Sequence, residues 1–94
     1  SLTALLELER CERINVTGSQ FINGSIGVAA SDCSHVTLTG NTLHDIREKP
    51  IAQHAIHFIG KGAGNLATGN TIGLTRGKSI HGDLTSNCNL TVDQ

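Results

Sequence analysis

The densest chemistry in this chain lies between Leu43 and Ile56, in the run His44-Asp45-Ile46-Arg47-Glu48-Lys49-Pro50-Ile51-Ala52-Gln53-His54-Ala55. It holds four charged residues and the only proline. Asp45 and Glu48 offer the two carboxylates that acid/base cleavage of a glycosidic bond requires. Lys49 or Arg47 could instead act as the base of an elimination on a uronic acid. Histidines make the second candidate set. His57 follows Ile56, His81 follows Ile80, and His54 stands three residues before His57. A row of imidazoles can hold an acidic sugar or exchange protons near neutral pH. Each set has a plainer alternative: a solvated charged loop for the first, an outward column of polar strand residues for the second.

The elements that must position these residues repeat along the chain. Thr17-Gly18-Ser19-Gln20-Phe21 returns as Thr39-Gly40-Asn41-Thr42-Leu43 and as Thr68-Gly69-Asn70-Thr71-Ile72, at intervals of 22 residues (Gly18 to Gly40) and 29 residues (Gly40 to Gly69). Repeats of this length mark a solenoid, in which each unit buries its apolar side against the next. Cys11-Glu12-Arg13-Ile14-Asn15-Val16 matches Cys33-Ser34-His35-Val36-Thr37-Leu38. The third unit reads Ala63-Gly64-Asn65-Leu66-Ala67, and a fourth is expected at Cys88-Asn89-Leu90-Thr91-Val92. Apolar and polar residues alternate in these runs, the pattern of strands with one buried side. Leu2 to Arg13 could also form an amphipathic helix. Strand is preferred there, because Leu6 and Leu8 precede Cys11 by the same offsets as Val28 and Ala30 precede Cys33.

Three short strands per unit predict an all-β fold, a right-handed parallel β-helix solenoid of about four coils. Residues 1–94 form one β-helix segment, expected to be a piece of a longer chain, with an insertion at 44–55. Equivalent residues of successive coils should stack ~4.8 Å apart. This would place Asn41 over Asn70, Phe21 with Leu43 and Ile72, and Cys11 with Cys33, Ala63 and Cys88. His57 and His81 would stack on the outer side. Eleven glycines and one proline suit many tight turns.

Gly40-Asn41-Thr42-Leu43 and Gly69-Asn70-Thr71-Ile72 resemble the turn-plus-strand signature of pectate-lyase-like β-helix repeats. The resemblance covers about Ala4 to Val92. It implies either a structural, receptor-binding segment of a phage tailspike-like fibre, or part of a secreted polysaccharide lyase, glycoside hydrolase or epimerase. A fibre would be a homotrimer in the virion tail, an enzyme would be extracellular, and the partner of either would be a surface polysaccharide. Candidate catalytic residues are then Asp45, Glu48 and Lys49, and candidate carbohydrate-binding residues His54, His57 and His81. Trp and Tyr are absent. Sugar-processing clefts use such rings as platforms, and their absence leans toward the fibre.

The remaining composition narrows the partners. A net charge of −1 gives no basic surface for nucleic acid. No apolar run approaches the ~20 residues of a membrane-spanning helix. Three cysteines allow a Cys11–Cys33 disulfide or, preferably, reduced thiols used as small apolar side chains. Their spacing matches no zinc signature. No metal or cofactor is expected, although the histidine group could in principle bind a metal ion. Asn15-Val16-Thr17, Asn23-Gly24-Ser25 and Asn89-Leu90-Thr91 match glycosylation sequons, but Asn and Thr recur in such turns for geometric reasons.

Overall fold

Alternating side chains make each short run extended, with one row inward and the next outward. The computed structural model describes residues 3–92, and its regular elements there are all strands. The first sheet contains β1 (Ala4–Glu9), β4 (Ile26–Ser31), β7 (His54–Ile59) and β10 (Ile80–His81). The second contains β2 (Asn15–Thr17), β5 (Thr37–Thr39), β8 (Leu66–Thr68) and β11 (Thr85–Asn87). The third contains β3 (Gln20–Ile22), β6 (Thr42–His44), β9 (Thr71–Gly73) and β12 (Leu90–Val92). All pairings are parallel, and each strand pairs with its counterpart one coil along. The chain visits the three sheets in turn and winds a parallel β-solenoid of about four coils. β1 is a strand and not a helix, and it pairs Leu6 with Val28 and Leu8 with Ala30.

Inward rows fuse into one core. Leu6, Val28, Ile56 and Ile80 stack in the first sheet, Val16, Leu38 and Ala67 in the second, and Phe21, Leu43 and Ile72 in the third. Burying one such aliphatic side chain contributes about 1.5–3 kcal/mol. The central coils hold the deepest residues, Val28, Leu38, Ile56 and Ile72.

Each coil turns its corners with residues in the left-handed conformation, and these stack as well. Arg10, Asp32 and Gly60 share one column, Arg13, His35 and Gly64 a second, and Gly18, Gly40, Gly69 and Cys88 a third. The third column corrects the expected place of Cys88. Asn87 pairs with Thr68, so Cys88 sits exposed over Gly69 at a turn and not in the inward cysteine column. The fourth coil spells its turn Asn87-Cys88-Asn89 where the others have Thr-Gly-Asn or Thr-Gly-Ser. Leu90–Val92 therefore belongs to the third sheet. The slot above Cys33 is likewise filled by Gly62, because Ala63 lies against Ser34 and bonds its hydroxyl. Cys11 does stack on Cys33, whose Sγ accepts the Cys11 N–H at 3.3 Å, and all three cysteines are free.

Beside the Gly column runs a ladder of amides. Asn41 Oδ1 accepts the Ser19 N–H, Asn70 Oδ1 the Asn41 N–H, and Asn89 Oδ1 the Asn70 N–H, each at 3.0 Å. Each Nδ2 donates down to the preceding coil, that of Asn41 to Val16 O, Asn70 to Leu38 O and Asn89 to Ala67 O. Buried Asn70 thus satisfies two backbone groups that no water reaches. Asn65 does the same at the opposite corner, accepting from the Val36 N–H and donating to Cys33 O. Asn70→Ala should destabilise the fold by about 2–6 kcal/mol, since it strands an N–H and a carbonyl at roughly 1–3 kcal/mol each. Urea unfolding measures this, and a change near zero would mean that the ladder is not carrying those groups.

Candidate functional site

The charged run forms a loop over residues 45–53 between β6 and β7; His44 ends β6, and His54 and Ala55 begin β7. Asp45 is buried at the loop base. Arg47 holds it through two bonds, Nε to Oδ1 and Nη2 to Oδ2, both at 2.7 Å. After Pro50 the chain doubles back, and the N–H groups of Ile51 and Ala52 donate to Oδ2 at 2.7 and 3.0 Å. The Arg47 guanidinium, aided by these N–H donors and partly opposed by burial, holds the Asp45 carboxyl well below the usual carboxylate range. The same pairing raises Arg47. A carboxylate so engaged has no proton to give at neutral pH. Asp45 closes the loop, whereas Glu48 and Lys49 stand exposed farther along it. One carboxylate faces in and the other out.

The histidines, in contrast, converge. β10 pairs His81 with His57, and the rings stack with centroids 4.8 Å apart and planes 19° from parallel. His54 joins them, 4.7 Å from His57 and 5.2 Å from His81. Strict alternation would send His54 and His57 to opposite sides. It is broken at Ala55 and Ile56, which are both buried and whose N–H groups both donate to Ser79 O at 2.8 and 2.9 Å. Two successive inward residues act like a bulge and re-aim the preceding side chain. His54 Nδ1 also lies 2.5 Å from Lys78 O, on the loop that precedes β10. Burial, followed by the proximity of His54 and His81, pushes His57 below its ordinary pKa.

His44 is separate in role. It pairs with Ile22, and its ring covers Gly73, where a Cβ would overlap it. Its Nε2 is buried with no hydrogen-bond partner among the described residues. A small cleft brings His44, Asp45, Ala52 and His54 together beneath the loop. The structure therefore assembles His54, His57 and His81 as one group and separates Asp45 from Glu48 and Lys49. Sequence reasoning missed the carbonyl of Lys78 and the clamp formed by Arg47. The adjacent apolar pair Ala55-Ile56 was the visible sign that alternation fails before His57.

Compared with known proteins, the chain matches no family model, and neither a curated protein nor a solved structure aligns with it significantly.

Two pH responses follow. His57 has its pKa lowered by folding, so the unfolded chain takes up the proton first and stability falls as pH drops below about 6.5. His57→Gln should flatten that slope in urea midpoints measured across this range. Asp45 has its pKa lowered too, so its stabilisation is full above about pH 4 and is lost as the medium becomes more acidic. Asp45→Asn should lower stability at neutral pH and remove most of the acid-limb slope; an unchanged slope would place the acid-sensitive group elsewhere.

Proposed function

We propose that the chain is a structural, polysaccharide-binding segment of a tailspike-like β-solenoid fibre. The observation that carries this reading is the outer face of the second sheet. Asn15, Thr37 and Thr85 lie in one outward row, interrupted by Leu66, and Thr17, Thr39, Thr68 and Asn87 lie in the next. Thr68 Oγ1 donates to Asn87 Oδ1 at 2.8 Å, and Thr39 Oγ1 to Thr68 O at 3.2 Å. Hydroxyl and amide groups thus repeat at strand spacing, ~4.8 Å, along the axis. A linear glycan is itself a repeating row of hydroxyls, and such a surface can meet it unit by unit without an aromatic platform. On the neighbouring sheet, the ring nitrogens of His54, His57 and His81 add further hydrogen-bonding groups for sugar units.

Binding is favoured over cleavage by the state of the charged loop. Asp45 is committed to Arg47 and to two backbone N–H groups, and Glu48 is exposed away from it. A hydrolase needs two carboxylates about 5–9.5 Å apart across one accessible bond. A trimeric fibre in the virion tail belongs to the same proposal, and sedimentation tests it, since a monomer would remove that part.

Incubation with neutral and uronic-acid-containing surface polysaccharides is the direct test. Retention without new reducing or unsaturated ends is the expected result. Thr39→Val and Thr68→Val should each weaken retention about 2–10-fold, the worth of one hydrogen bond. Chain cleavage would favour a lyase or hydrolase, and absence of retention on every glycan would end the proposal.

A further inference from the structure

We propose that His54, His57 and His81 form a three-nitrogen site for a divalent late first-row transition metal ion, with zinc(II) as the ion of best-fitting chemistry. The inference does not depend on the polysaccharide reading. It starts from convergence: one ring nitrogen from each of the three residues lies within 4.8 Å of the others. These residues come from two adjacent strands and from two different positions on β7, so the group exists only because the coils are in register.

The second observation is the tautomer. A carbonyl oxygen can only accept, so the 2.5 Å contact with Lys78 O places the proton of His54 on Nδ1. In the neutral ring, Nε2 then carries the lone pair. Imidazoles that bind metals are oriented in this way, with the second ring N–H donated to a backbone carbonyl or carboxylate. The loop carrying Lys78 thus fixes the first ligand before any ion arrives. Gly77 packs beside the same ring, and a Cβ there would sit 3.0 Å from its Cε1.

Room and donor type complete the argument. His57 is flanked on the other side by Ala29, whose methyl leaves the outward space open. His81 is exposed and can turn about its side-chain torsions. Zinc–nitrogen bonds of about 2.0–2.1 Å require nitrogens roughly 3.4 Å apart in a tetrahedral set. Closing the set from separations of up to 4.8 Å to that spacing takes rotation of the exposed His81 ring together with a smaller adjustment of His54 against His57. Three imidazoles with no carboxylate or thiolate in the group suit zinc, copper, nickel or cobalt and not calcium or magnesium. Three protein ligands leave a fourth position for water or for an anionic group of a bound molecule.

Calorimetric titration of the whole chain with zinc chloride, under reducing conditions, tests the site. Saturable binding of one ion per chain is expected, unaffected by excess calcium. Loss of an outer partner of a metal ligand typically costs 10–100-fold in affinity, so His81→Asn, which removes a ligand, should cost at least about tenfold. That residue is exposed, and an unchanged circular dichroism spectrum shows that the fold survives. Copper(II) in place of zinc should give an electron paramagnetic resonance spectrum with nitrogen donors, lost in His57→Asn. No saturable binding would overturn the proposal. So would binding that survives both histidine substitutions, or that is lost in Cys11→Ser instead.

Discussion

Register between coils is the constraint on which everything else in this molecule depends. Parallel backbone hydrogen bonds tie each strand to its counterpart, so a residue's surroundings are set chiefly by what stands one coil above and below. A polar group inside such a stack can be satisfied only along the axis. The asparagine ladder shows the consequence, since Asn70 gives and receives bonds with Leu38, Asn41 and Asn89 at once. A shift by one residue would break these bonds, turn every inward aliphatic outward and unstack the left-handed corners together. Apolar burial supplies most of the driving force, while the amides and corners decide which register receives it.

This dependence explains what could be read from the sequence. The Thr-Gly-Asn phrase was legible because a left-handed corner favours its glycine and the ladder uses its asparagine. The His57–His81 stack was legible from two Ile-His pairs at equivalent positions. Cys88 was misplaced because cysteine carries no comparable geometric demand; the informative residue in Asn87-Cys88-Asn89 was Asn89. Ala63 was misplaced in the same way, since Gly62 and Ala63 are both small and only hydrogen bonding separates them. The inclusion of His54 was hidden by the local break at Ala55 and Ile56, and its bond to Lys78 O joins residues from different coils. Asp45 and Glu48 looked alike in sequence. Folding divides them, because the loop's own N–H groups need an anion at its base and one carboxylate fills that need.

The charged loop and the histidine group illustrate two uses of polar residues beside an apolar core. Asp45 is surrounded by donors and fully engaged, which fixes the course of the chain from β6 to β7 and leaves its chemistry spent. The imidazoles crowd one another with few partners, and burial, then the nearby His54 and His81, push His57 below its ordinary pKa. The proposed binding capacity of this protein rests on that group of rings.

Coil length adds a final point. Successive rungs of the asparagine ladder are separated by 22, 29 and 19 residues, yet each makes the same backbone contact at 3.0 Å. The lengthening to 29 falls mainly at the corner between the third and first sheets, where the connections span 23–25, 45–53 and 74–79, whereas the shortening to 19 falls at β10 and the connection 82–84. That corner also carries the Asp45 clamp and the Lys78 carbonyl. The solenoid thus has a conservative edge and a permissive one. New segments can be spliced into the permissive edge, coil by coil, without retuning the rungs, so the architecture separates the inheritance of shape from the inheritance of recognition.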